Sequence, residues 1–163
     1  MVVKINGDIV SNDWKPIYNW FGMDSFSPGD LEDAIERLPE GEALEIKINS
    51  PGGDVWAGQE IYTMLRGRSD VAIEVESTAA SAASIIAMAG KSSISPVGML
   101  MIHNVSTYGV SGNKRDMKKM ADTLGEYDKA LAAAYVEKTG MQPDEVLKLM
   151  DKETWLTADV AVE

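Results

Sequence analysis

The chain predicts an α/β domain built on a largely parallel sheet, and three observations carry that prediction. Leu44, Ile46 and Ile48 alternate with Glu45, Lys47 and Asn49, the period of two that a strand imposes on its side chains. Val71, Ile73 and Val75 repeat the pattern, with Glu74 and Glu76 between and after them. Between the two stretches Gly58, Ile61, Tyr62 and Leu65 return at helical spacing. Strand, helix and strand in that order form a β-α-β unit, whose crossover sets the two strands parallel.

The remaining elements follow in order. Met1-Val2-Val3-Lys4-Ile5-Asn6-Gly7 reads as a short strand with a turn. Tyr18, Trp20, Phe21 and Met23 form an aromatic-rich segment with no acid or base among them, suited to a subunit contact or to local packing. Ser27-Pro28-Gly29-Asp30 supplies an N-cap, a proline at the first helical position and an acid at the third, ahead of Leu31, Ala34, Ile35 and Leu38 at helical spacing. Ser50-Pro51-Gly52-Gly53 breaks the first alternating strand as a turn. Residues 79–90 are nearly all small or apolar with no polar stripe, the pattern of a helix buried on all sides, and Ser81 stands at its start. A third strand over 97–102 delivers His103, and a looser stretch with Gly109 and Gly112 follows. Met117, Met120, Ala121, Leu124, Tyr127, Leu131 and Tyr135 hold helical spacing over 114–138, with Thr139-Gly140 as the stop. A short helix through Val146, Leu147 and Met150 leads into Asp151-Lys152-Glu153-Thr154-Trp155, and Thr157 caps a last turn. Without repeats or linkers, residues 1–163 read as one domain; because the sequence stops inside a predicted helix, the native chain is expected to continue past Glu163.

Composition narrows the function classes. Apolar residues make up 45% of the 163 and charged residues 25%, the balance of an ordinary globular protein. A net charge of −11 argues against nucleic acid and anionic lipid as partners. No apolar run reaches the 18 or so residues that span a bilayer, and the start is not a signal peptide, so the protein is expected to stay in the cytoplasm where it is made. The absence of cysteine removes thiol catalysis and disulfides and fits a reducing compartment. One histidine and scattered acids predict no metal and no organic cofactor.

That one histidine, His103, fixes the base if any serine here is activated by imidazole. Ser81, at a strand-to-helix junction, would meet backbone N–H groups that the first turn of a helix leaves without intrahelical partners. The amide of Ala82 is one candidate oxyanion donor and that of Gly53 a second, since paired glycines let backbone approach a substrate closely. Each feature by itself also reads as ordinary structure: a small packing serine, a strand-end histidine, a glycine turn.

Taken together, the motifs resemble the Clp protease proteolytic subunit family, in particular its phage and prophage branch. Ile48-Asn49-Ser50-Pro51-Gly52-Gly53 is similar to that family's glycine turn, Ala79-Ala80-Ser81 with Ala89-Gly90 to its nucleophile helix, and Met101-Ile102-His103 to its histidine strand. The resemblance covers nearly the whole chain. It implies a Clp-protease- and crotonase-like β-β-α superhelix with a protruding handle helix over about 114–138, and a serine endopeptidase with Ser81 as nucleophile, His103 as general base and then acid, and the amides of Gly53 and Ala82 as oxyanion hole. It also implies self-assembly into a ring, a heptamer or a double ring, and a phage head or scaffold protein as substrate. The third triad member departs from the pattern. Where the family has an arginine-flanked aspartate two positions before an aromatic residue, this chain has Glu153 between Lys152 and Thr154, two before Trp155. Glu153 is the first choice for the acid; Asp151, which would share a face with Glu153 in an extended stretch, is the second. Loss of the arginines weakens the case for the double ring, and no counterpart of the family's axial loops precedes the first strand, so an ATP-driven unfoldase partner is not expected. Two other readings share the fold: an acyl-CoA enzyme of crotonase type working through Glu153, Asp151 or other carboxylates, and a catalytically silent assembly module. Within the hydrolase class, Lys91 or another lysine stands as an alternative base.

Overall fold

The computed structural model describes residues 1–162. In chain order the elements are β1 (Val2–Ile9), α1 (Lys15–Phe21), β2 (Ser25–Phe26), α2 (Pro28–Glu36), β3 (Leu44–Gly53), α3 (Val55–Leu65), β4 (Val71–Ala80), α4 (Ala82–Ala87), β5 (Lys91–Ile94), β6 (Met99–Ile102), α5 (Lys114–Thr139), α6 (Pro143–Asp151), β7 (Thr154–Thr157) and α7 (Ala158–Ala161). They fall into two compact units, one of residues Met1–Met101 with the segment from Trp155 onward, the other Ile102–Thr154.

The first unit holds the sheet, ordered β2-β1-β3-β4-β6-β7, with β5 also pairing β4. β1 pairs in parallel with β2 and β3, and β4 pairs in parallel with β3, β5 and β6, as the β-α-β reading requires. Alternation along β3 sends Leu44, Ile46 and Ile48 into the core at 0% exposure, in register with Ile5, Ile73 and Val75 of the neighbouring strands, and Ile61 and Leu65 of α3 are buried as well. At typical costs, truncating any of these fully buried Leu or Ile side chains to alanine removes about 2–5 kcal/mol. The opposite face of β3 is polar. There the Lys47 ammonium lies 3.2 Å from both Glu74 and Glu76, and the hydrogen bond to Glu74, then that to Glu76, holds its pKa above the usual lysine value.

Local chemistry explains the helix boundaries. Ser27 caps α2 in a reciprocal box with Asp30, as its sequence predicts. Asp54 caps α3 by accepting from the Ala57 amide at 2.8 Å. In the second unit Asn113 and Asp116 form the box that opens α5, and Gly140, in the left-handed region at φ 73°, closes it. The buried stripe of α5, Leu131, Ala132, Ala134 and Tyr135, lies in its C-terminal half, and α5 packs on α6.

Several boundaries differ from expectation. Ser50–Gly53 does not end its strand: Gly52 and Gly53 stay in β3, opposite Asp8 and Ile9 of β1. Ala79 and Ala80 belong to β4, so the buried helix is shorter than the apolar run, and α4 spans six residues. The two-residue β2, the four-residue β5 and α1 carry no clear periodicity in sequence. Asp151 and Glu153 are not on an extended stretch, because Asp151 ends α6 and Glu153 follows in a left-handed turn at φ 50°.

Candidate active site

Ser81 sits between the end of β4 and the start of α4 with φ 53° and ψ −125°. Those angles are the mirror image of an ordinary extended backbone: glycine adopts them freely, but a side chain pays roughly 1–3 kcal/mol. Strain of that size persists only where surroundings fix the backbone, and here both Ser81 peptide groups are tied down. Its N–H donates to Met101 O of β6 at 3.0 Å, and its carbonyl accepts from Ser84 N–H at 3.0 Å and Ser84 Oγ at 2.6 Å. Ser84, 0% exposed, is therefore a supporting residue that the sequence reading passed over. Its signal was the i, i+3 serine spacing in Ala-Ala-Ser-Ala-Ala-Ser.

The glycine turn closes the same spot from β3. A Cβ built on Gly52 (φ +95°) would lie 2.5 Å from Ala80 O, 2.7 Å from Ser81 Cβ and 2.9 Å from Ala82 N. Glycine at 52 is thus the condition for β3 to lie against the serine junction, and Ser50 Oγ, accepting from Gly52 N–H at 3.1 Å, holds the turn. Gly53 answers a different demand: a Cβ there would stand 2.1 Å from Ile9 O, so it keeps β3 paired to β1. Gly58 of α3 admits Ala82, whose Cβ would be 2.9 Å from a side chain at 58. Ser81, Ala82 and Gly53 thus share the first unit, and the steric fit selects Gly52 beside them.

The other sequence-predicted site residues belong to the second unit. His103 directly follows β6. Its neighbour Asn104 donates from Nδ2 to Asp151 Oδ1 at 2.6 Å, and Val105 N–H donates to Asp128 Oδ1 at 2.7 Å. Glu153 follows the end of α6, its N–H bonded to Met150 O at 3.0 Å, and Thr154 Oγ1 donates to Leu149 O at 2.6 Å. Among the described residues no group of three or more metal-ligating side chains comes together, and no helix is long and apolar enough to cross a membrane.

Strain at Ser81 gives a stability prediction that separates this serine from an ordinary one. Ser81→Gly is expected to be more stable than Ser81→Ala by about 1–2 kcal/mol, because glycine meets no Cβ clash at these angles. At a residue of ordinary backbone the order is the reverse, so urea denaturation of the two variants decides the point.

Comparison with known proteins bears on the same residues. The Clp protease family model matches residues 34–163. The ATP-dependent Clp protease proteolytic subunit of Bacteroides fragilis is 35% identical over 133 residues, covering 79% of this chain and 64% of the relative. Proteolytic subunit 1 of Chlamydia abortus is 31% identical over 132 residues, 78% of this chain and 69% of the relative. Proteolytic subunit 2 of Corynebacterium efficiens is 33% identical over 124 residues, 74% and 62% respectively. The matched stretch thus spans between about three fifths and seven tenths of these relatives' lengths. It takes in the glycine turn, the strained serine junction and the histidine strand, and on that match the chain has the Clp protease fold and belongs to the Clp protease family.

Proposed function

We propose that the chain is a serine endopeptidase in which Ser81 is the nucleophile, His103 the general base and then general acid, and Glu153 the carboxylate that orients the imidazole. The amides of Gly53 and Ala82 form the oxyanion hole, and residues 1–163 act as one catalytic domain. The observation that carries the reading is the left-handed backbone of Ser81 at a strand-to-helix junction in a member of a peptidase family. Such a turn lifts a serine hydroxyl clear of the sheet and puts first-turn amides beside it. In the reaction, Ser81 Oγ attacks the scissile carbonyl carbon as its proton passes to His103. The resulting oxyanion is held by the two amides, and His103 then protonates the leaving amine. Water repeats the sequence to free the acyl group from Ser81.

The assembly is a homo-oligomeric ring, a heptamer or a double ring, acting on peptide or protein substrates in the cytoplasm without metal, cofactor or unfoldase. Support comes from the aromatic segment. Tyr18 is bound locally, its hydroxyl donating to Asp8 at 3.0 Å, whereas Trp20 is 82% exposed and its ring lies tilted against that of the exposed Phe21, centroids 4.8 Å apart. Apolar surface of that kind suits a subunit contact. The resemblance of the motifs to the family's phage and prophage branch favours a phage head or scaffold precursor as the natural substrate.

A fluorophosphonate tests the chemistry. The wild-type chain is expected to be labelled, and His103→Ala, which removes the base without touching Ser81, to be labelled at least about a thousandfold more slowly. Labelling of His103→Ala at the wild-type rate would reject the imidazole as base.

A further inference from the structure

We infer that Asp151 and Asp128 are positioning residues that hold the segment after His103, leaving Glu153 as the acid that engages the imidazole; the inference rests on the serine-peptidase reading above. Two carboxylates from two helices grip consecutive residues. Asp151, at the end of α6, takes Asn104 Nδ2 at 2.6 Å, and Asp128, on α5, takes the Val105 N–H at 2.7 Å. Both lengths are at the short end for charge-assisted bonds, which are roughly twice as strong as neutral ones. The Asn104 amide orientation follows from the contact, because the opposite flip would set its Oδ1 against a carboxylate oxygen.

Local preference argues the same division of labour. An acid at the last residue of a helix opposes the helix dipole, and Asp151 occupies that position in α6. The bond to Asn104 supplies a reason for an acid there. Glu153, two residues on, has φ 50°, a conformation in which glycine or asparagine is preferred over glutamate. A glutamate at such a position, against the backbone preference, fits an acid placed there for its chemistry. Asp151, one of whose oxygens is engaged by the asparagine next to the histidine, acts instead through the backbone that carries the imidazole.

Full-length variants tested for fluorophosphonate labelling, with the maximal rate and the half-saturating concentration read separately, distinguish the roles. Asp151→Ala and Asn104→Ala are each expected to lower the maximal rate by roughly a hundredfold, the cost of a base displaced by about 1 Å, with half-saturation unchanged. Because they break one contact, the double variant should be no slower than either single. Asp151→Asn keeps an acceptor for Asn104 and should stay within about fivefold of wild type. Asp128→Asn, which keeps an acceptor for Val105, should do the same. Glu153→Gln, which removes the orienting charge, should fall by roughly 10⁴-fold. Asp151→Asn falling as far as Glu153→Gln, or Asp151→Ala matching wild type, would overturn the assignment. A folded wild-type chain that takes no label at all would instead reject the serine-peptidase reading.

Discussion

Ser81→Ala is expected to lower kcat for peptide cleavage by about 10⁶-fold, the loss found when a triad nucleophile is removed and only binding and oxyanion contacts remain. The fold should survive. Alanine keeps the Cβ that already stands at φ 53°, and both backbone anchors, Met101 O to the N–H and Ser84 N–H to the carbonyl, involve no atom of the Ser81 side chain. A thermal midpoint within a few degrees of wild type, with no cleavage above background, is the outcome that assigns the loss to chemistry. Cleavage at more than a thousandth of the wild-type rate would move the nucleophile elsewhere.

Gly52→Ala is expected to damage both stability and reactivity. The added methyl would meet Ala80 O at 2.5 Å, Ser81 Cβ at 2.7 Å and Ala82 N at 2.9 Å, none of them the movable end of a long side chain. Relief therefore requires a shift of β3 or of the serine junction itself, at about 1–3 kcal/mol of stability for overpacking and more for a side chain at φ +95°. A displacement near 1 Å at the nucleophile lowers reactivity by roughly a hundredfold. Gly67→Ala is the control, since Gly67 also has positive φ (+77°) but meets nothing within 4 Å. It should lose stability from backbone strain and keep its rate of fluorophosphonate labelling. Equal labelling rates for Gly52→Ala and wild type would remove the glycine turn from the site.

Which parts of this architecture were legible in sequence follows from physical causes. The β3-α3-β4 unit was, because Leu44, Ile46 and Ile48 are fully buried while Glu45, Lys47 and Asn49 between them are not, so the alternation survives in the letters. Long α5 was legible from its helical period, of which Leu131 and Tyr135 are buried, and its Gly140 stop from the left-handed cap that glycine supplies. The apolar run over 79–90 was less informative. It is continuous because the end of β4 and all of α4 are both fully buried, and periodicity vanishes when every face is covered. For β2, two residues are too few to show a period.

The candidate site divides along similar lines. Ser81 and His103 were legible as residue types placed at element junctions. Backbone strain at Ser81 and Glu153 was not, since φ angles for non-glycine residues are imposed by tertiary contacts and leave no mark on composition. Gly52 and Gly53, adjacent glycines, look equivalent in sequence. Only the approach of β3 to Ser81 on one side and to Ile9 on the other separates their tasks. The pairing of Asn104 with Asp151 joins residues 47 apart and has no local signature at all.

The most direct test of the central claim is peptide mapping by mass spectrometry after treatment of the folded chain with a fluorophosphonate. One adduct per chain, carried by Ser81, is expected. An adduct on another residue, with Ser81 recovered unmodified, would contradict it.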